Sequence, residues 1–237
     1  MNKLLSVKNK TVLITGAAGL LGSEFVKYLW HEGANIIAWD LKDGPKHERL
    51  NWQIVDIGDY KQVEEALTEY LAIDAVVCNA AIDFPPGRIN ILPKEEVFKT
   101  NILGSENCII LGAKKMIGGG SIILIGSIYG MVSPYRKLYG DWAKPSLYSV
   151  TKSALSGMTK YWAAHLAPEN VRVNLLVLGG IDSGQDRDFV KKYSERVPLQ
   201  RMAVTEDYCG AVQYLISDAS RYQTGSKMVI DGGYTAW

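Results

Sequence analysis

Cysteine is scarce. Cys78, Cys108 and Cys209 lie far apart in a chain of 237 residues. None of them forms a CxxC pair, which argues against a thiolate zinc site or a disulfide framework and leaves reduced thiols as the expectation. Charge of one sign is also lacking. The formal net charge is only +1, so no electrostatic footprint for nucleic acid or a membrane surface is present. Residues 1–10 contain no long apolar run, and they read neither as a signal peptide nor as an anchor. The cytoplasm is therefore the expected compartment. No repeat, low-complexity tract or linker divides the chain. A small-molecule substrate is the expected partner, with no metal, nucleic acid or membrane.

What is present is an alternation. Short apolar runs rich in Val and Ile occur at 11–15, 35–40, 53–56, 75–79, 121–126, 172–178 and 227–230. Most are continuous rather than alternating, as expected of strands covered on both faces. Between them, residues 20–31, 60–72, 93–116, 146–166 and 206–217 read as helices. Pro93, Glu95 and Glu96 mark one helix start, and Thr205 is a candidate cap for another. Strands alternating with helices predict an α/β fold: a single-domain, Rossmann-type, doubly wound seven-stranded parallel sheet in three α/β/α layers. Ligands of such sheets bind beyond the carboxyl ends of the strands, where the motifs below fall.

The first strand runs into Thr15-Gly16-Ala17-Ala18-Gly19-Leu20-Leu21-Gly22. Glycine permits a sharp turn and close approach to a pyrophosphate, and the following helix start offers free N–H groups to phosphate. Asp40 ends the second strand, 18 residues after Gly22. A carboxylate there accepts hydrogen bonds from ribose hydroxyls and repels a 2′-phosphate. NAD is therefore expected over NADP. Asp56 and Ile57 end the third strand near the expected adenine. Asn79, Ala80 and Ala81 end the fourth. For Asn79, tying neighbouring strands together and touching the cofactor are both open.

Tyr148 and Lys152 stand at i, i+4, on one helical face. An ammonium near a phenol stabilises the phenolate, so the pair reads as a proton-transfer device. Ser127 ends the fifth strand. It reads as a hydrogen-bond donor to a substrate oxygen or as a turn residue. Asn101 lies mid-helix, where asparagine is a mediocre residue, so a specific buried partner is expected.

Taken together, these positions resemble the classical short-chain dehydrogenase/reductase family from Thr11 to Gly233. The resemblance implies Ser127, Tyr148 and Lys152 as a catalytic triad with Asn101 as fourth member. It implies that the tyrosine is the acid/base, that the lysine binds the nicotinamide ribose, that the serine steadies the substrate oxygen, and that the asparagine anchors a water. Tyr148, Lys152, Gly180, Ile181 and Ser183 are then cofactor contacts beside those named above. A homodimer or homotetramer is implied as well.

Three features depart from the family pattern. The middle glycine is Gly19, and residue 20 is leucine; this spacing is similar to that of extended members acting on nucleotide sugars. Gly179-Gly180 stands where Pro-Gly is usual, so a looser turn is expected. Ser127 and Tyr148 are 21 residues apart, several more than usual. The extra segment, 131–144, carries Tyr135, Arg136, Tyr139, Asp141 and Trp142. It reads either as a sugar-binding loop, with Arg136 suited to phosphate or carboxylate, or as a subunit contact. With the ending 234–237 it resembles dehydrogenases of bacterial surface-glycan and flagellin-glycosylation gene sets. Residues 128–147 are expected to form a substrate loop and 181–199 a lid, with Gly184 and Pro198 at its ends.

The leading functional reading is an NAD(H)-dependent alcohol/ketone oxidoreductase, with a sugar as the substrate class. A nucleotide-sugar epimerase or dehydratase that recycles NAD internally is one alternative. A non-catalytic NAD-binding regulator is another.

Overall fold

A computed structural model describes residues 3–83, 93–139 and 144–237. Seven strands form one sheet: β1 (Thr11–Thr15), β2 (Asn35–Asp40), β3 (Leu50–Ile54), β4 (Ala75–Cys78), β5 (Gly120–Ser127), β6 (Val171–Leu178) and β7 (Lys227–Ile230). Their order is β3-β2-β1-β4-β5-β6-β7, and every pairing is parallel. The helices are α1 (Leu20–His31), α2 (Tyr60–Thr68), α3 (Lys94–Phe98), α4 (Ser105–Ala113), α5 (Ser146–His165), α6 (Arg187–Ser194) and α7 (Cys209–Ile216). The order reverses between β1 and β4, which opens a crevice at the carboxyl ends of these two strands.

The continuous apolar strands serve two cores at once, because successive side chains leave opposite faces. Leu13, Val76, Ile122 and Leu124 join one core, with Ile109 of α4 and Leu155 of α5. Val12, Ile14, Val77, Ile123 and Ile125 join the other, with Phe25 of α1 and Val212 of α7. All these side chains are buried.

Some boundaries differ from expectation. β3 covers Leu50–Ile54 instead of 53–56. It is an edge strand whose burial alternates, with Ile54 exposed, so a search for continuous apolar runs misplaces it. The long helix expected over 93–116 is instead α3, a π-helical turn at Lys99–Gly104, and α4. Helix α6 lies inside the polar segment expected only as a lid. The Asp186 carboxylate caps it by accepting from the Asp188 and Phe189 amides. Ahead of α7, a 3₁₀ turn spans Thr205–Tyr208. It is closed by Asp207, which accepts from the Val204 amide, and Thr205 is not the cap.

Candidate active site

The turn after β1 has two obligatory glycines. Gly16 has φ +64°, and a Cβ there would lie 2.7 Å from Ala80 Cα. A Cβ on Gly22 would lie 2.0 Å from the Gly16 carbonyl oxygen, so α1 can pack onto the turn only without a side chain there. Gly19 is different. It is the N-cap of α1 with φ −73°, a conformation open to any residue, and a Cβ would meet only the Gly16 oxygen at 3.1 Å. The shifted middle glycine therefore leaves the turn intact. Its consequence is Leu20, an exposed side chain at the first position of α1.

No side chain caps α1, so its first amides are free to meet a pyrophosphate. The turn opens onto a cleft of 530 Å³ lined by Gly16, Gly19, Leu20, Leu21, Asp40, Asp56, Ile57, Asn79, Ala80 and Ala81, among others. Gly22 does not line it; its part is the helix packing just described. Asp40 is fixed by the Ala18 amide at 2.9 Å and the Lys42 amide at 3.1 Å. Asp56 lies beyond β3, where it takes the Gly58 amide at 2.8 Å and the Lys99 ammonium at 2.9 Å. The cleft's described lining contains three carboxylates (Asp40, Asp56 and Asp83) and no lysine or arginine.

Asn79 ties strands together: its amide donates to the carbonyls of Thr15 and Gly16. Thr15, the first residue of the glycine motif, answers it. Its buried hydroxyl accepts from the Asn79 and Ala80 amides.

A second cavity of 540 Å³ adjoins the cleft, lined by Ser127, Tyr139, Gly180, Ser183, Gln185, Asp186 and Phe189 among others. Leu20, Asp83, Tyr148 and Ile181 line both spaces. Burial raises the proton affinity of the Tyr148 phenol, Asp83 raises it further, and a hydrogen bond with Ser127 opposes them. The Ser127 hydroxyl also accepts from the Tyr129 amide. One turn along α5, the Lys152 ammonium is buried and donates to the Ile125 carbonyl at 2.7 Å. Desolvation lowers its pKa to about 8. Its Nζ stands 5.9 Å from the centre of the Tyr148 ring.

Asn101 sits on the π-helical turn and is buried. Its Oδ1 accepts from the Ile82 amide at 2.7 Å, and its Nδ2 donates to the Ile82 carbonyl and the Thr151 hydroxyl. It thereby pins the strand-end loop of β4 to α5.

The chain as a whole has counterparts among known proteins. A family model described as enoyl-(acyl carrier protein) reductase matches residues 16–235. A 3-oxoacyl-[acyl-carrier-protein] reductase of Thermotoga maritima is 30% identical, the match covering 97% of this chain and 99% of that protein. The chain is a short-chain dehydrogenase/reductase. A ribulose-forming D-arabinitol 2-dehydrogenase of Candida tropicalis is also 30% identical, over 96% of this chain and 93% of that one. A short-chain dehydrogenase of Leptospira borgpetersenii, solved with bound NAD+, superposes with a TM-score of 0.88 at 33% identity, covering 99% and 96% of the two chains. This short-chain dehydrogenase/reductase is thus an oxidoreductase, and the cleft has the donor set for a nicotinamide dinucleotide.

The departures from the family pattern take physical form here. The Gly179-Gly180 turn is not loose. Gly180 donates its amide to the Tyr193 hydroxyl and accepts from the Ala203 amide at 3.0 Å, while the Tyr208 hydroxyl donates to the Gly179 carbonyl at 3.1 Å. The inserted segment docks on its own protein. The Arg196 guanidinium lies 4.0 Å from the centre of the Tyr135 ring and 5.3 Å from that of Tyr234, and Tyr234 stacks on Tyr193. Tyr135 is therefore wall structure and does not line the cavity beside Tyr148. Arg136 faces a separate outer groove. Tyr139 does line the cavity; its hydroxyl donates to Tyr129 at 2.8 Å, and its ring packs against Phe189. Asp141 and Trp142 lie outside the described residues.

Sequence reasoning missed one pair altogether. Lys144 and Asp83 form an ion pair of 2.7 Å, with the Lys144 side chain 11% exposed. The Lys144 ammonium sits 4.6 Å from the centre of the Tyr148 ring. Both residues belong to loops, where charges ordinarily read as solvated, so no pattern marks them.

Among the described residues no group of His, Cys, Asp and Glu is placed to hold a metal. No helix among them is long and apolar enough to cross a membrane.

Proposed function

We propose that the protein is an NAD(H)-dependent oxidoreductase acting on a hydroxyl or ketone of a sugar or sugar derivative, with Tyr148 as general acid/base. The observation that carries the reading is the position of Tyr148, which lines both the dinucleotide cleft and the adjoining cavity. When bound, the dinucleotide supplies the hydride acceptor or donor. The free amides at the start of α1 would hold its pyrophosphate, Asp40 its adenosine ribose, and Gly180, Ile181 and Ser183 its nicotinamide end.

Tyr148 takes the substrate's hydroxyl proton in oxidation and returns one in reduction. Ser127, which lines the cavity beside the phenol, orients the substrate oxygen. Lys152 is the near cation on the same helix face and stabilises the phenolate. Asn101 is a positioning residue: its side chain is taken up by Ile82 and Thr151, which fixes one wall of the cleft. The preference for NAD is supported by Asp40, which lines the cleft and is held by backbone amides with no cation paired to it, since a 2′-phosphate beside it would meet a carboxylate. A hydroxylated substrate is supported by the polar groups of the cavity, Gln185, Asp186, Asp83 and Lys144. Residues 128–147 and 181–199 serve as substrate loop and lid in this reading.

The test is Tyr148→Phe. NAD binding by calorimetry is expected to persist while turnover falls by about 10²–10⁴-fold, the usual contribution of a positioned acid/base. Retained turnover refutes the mechanism. A panel of polyols, phosphorylated sugars and nucleotide-linked sugars tests the substrate class, with net NADH formation as the readout that separates a dehydrogenase from an epimerase.

A further inference from the structure

The phenol of Tyr148 has a second ammonium beside it. Lys152 approaches from one turn further along α5, with its Nζ 5.9 Å from the ring centre. Lys144, just before α5, is closer at 4.6 Å. A cation over a tyrosine ring is attracted to its face, and a nearby cation favours the phenolate. Lys144 does not act alone, because Asp83 from the loop after β4 holds it at 2.7 Å. That carboxylate lines the same cavity as the phenol.

We propose that Lys144 and Asp83 are positioning residues that together set when Tyr148 releases its proton, the carboxylate masking an ammonium that otherwise favours the phenolate. The inference rests on Tyr148 being the acid/base. The geometry carries it: two opposite charges, the ammonium largely removed from solvent and the carboxylate half-exposed, are held against one another beside one phenol. Removing the carboxylate leaves that ammonium without its partner at a place water reaches poorly.

Other groups facing the phenol are accounted for. Lys152 is the cation from α5 itself, Ser127 is the hydrogen-bonding hydroxyl from β5, and Tyr139 is a neutral phenol from the inserted segment. Asp186, at the start of α6, lines the same cavity, but its carboxylate already accepts from the amides of Asp188 and Phe189. Asp83 raises the proton affinity of both Tyr148 and Lys152. Removing Asp83 therefore acts on the phenol both directly and through Lys144, whereas removing Lys144 leaves Lys152 and Ser127 in place.

The experiment compares the kcat/KM pH profile for alcohol oxidation across variants. It adds the tyrosinate difference absorbance of the NAD+ complex, with Tyr148→Phe subtracted to isolate Tyr148. Asp83→Asn unmasks Lys144 and is expected to move the Tyr148 ionisation to lower pH by about one unit or more. Lys144→Met leaves Asp83 unpaired and is expected to move it to higher pH by about as much. The double variant is expected to fall between the two, and Lys144→Arg, which keeps the charge, to stay near the parent. Should Asp83→Asn fail to fold, the contrast between Lys144→Met and Lys144→Arg decides alone.

Single variants that shift the same way, or shift nothing while Tyr148→Phe is inactive, overturn the proposal and leave the acid/base reading standing. Turnover by Tyr148→Phe overturns the acid/base reading itself.

Discussion

The Asp40 carboxylate is held by two backbone amides, from Ala18 in the glycine turn and Lys42 beyond β2, and it still lines the cleft. Hydrogen bonds to a charged group contribute about 1.5–3 kcal/mol. Asp40→Ala is therefore expected to lower kcat/KM for NAD by about 10- to 100-fold and to bring the NAD/NADP ratio towards one, measured by parallel steady-state kinetics. Asn101 makes a different prediction. Asn101→Ala leaves the Ile82 amide and carbonyl without their partner, a loss of about 1–3 kcal/mol. Thermal unfolding should show a Tm several degrees lower, with NAD affinity weakened as the cleft wall relaxes. These two residues were legible in the sequence because each breaks a local rule: an acid ends an apolar strand, and an amide stands mid-helix. Lys144 and Asp83 break no such rule, since charged residues in loops are ordinary. Only the fold brings them together, from positions 61 residues apart. Tyr135 presents the opposite case. An aromatic ring in an inserted loop suggests a ligand platform, yet here its partner is the protein's own Arg196.

At the scale of elements, the strand-to-helix unit of β1 and α1 follows directly from its residues, down to both boundaries. The unit depends on two of its three glycines. Gly22→Ala places a methyl group 2.0 Å from a carbonyl oxygen, so α1 must back away from the turn. Overpacking of this kind costs about 1–3 kcal/mol, and calorimetry should show a marked loss of NAD affinity. Gly19→Ala, at an ordinary φ with one 3.1 Å contact, should bind NAD nearly as well as the parent. The contrast between the two checks which spacing the turn requires. Elements that escaped the sequence have identifiable causes. The π-helical turn at Lys99–Gly104 keeps the helical pattern of side chains and changes only the hydrogen-bond step. Helix α6 is only eight residues long, so its apolar positions, Phe189, Val190 and Tyr193, lie on one face but span a single turn, too short a stretch to stand out among its charges.

Across the whole molecule, the segment after β7 packs against α6. Tyr234, beyond β7, stacks on Tyr193 of α6, and Arg196 bridges Tyr234 to Tyr135 of the inserted segment. Three parts distant in sequence thus meet at one guanidinium near the cavity that Tyr193 and Tyr148 line. Arg196→Ala is expected to raise the substrate KM by severalfold, as the loss of about 1–2 kcal/mol of desolvated cation–aromatic contact implies. The KM for NAD should change little, because the cleft under α1 is built from other elements. Steady-state kinetics with each substrate varied in turn checks this split. The seven strands, with β3 displaced, and the two-faced core were readable from periodicity, because burial on both faces leaves continuous apolar runs; the order of the strands was not. The joining of lid, insertion and tail was not, since it depends on single stacked rings.

The bare start of α1 has a consequence for the lifetime of the protein. Both α2 and α6 open under an aspartate cap, whereas α1 opens with none. A ligand that completes those amides binds the folded chain and not the unfolded one. At 100 times its Kd such a ligand adds about 2.7 kcal/mol to stability. The population open to proteolysis then falls about 100-fold, so the abundance of this oxidoreductase would follow the supply of the dinucleotide it consumes.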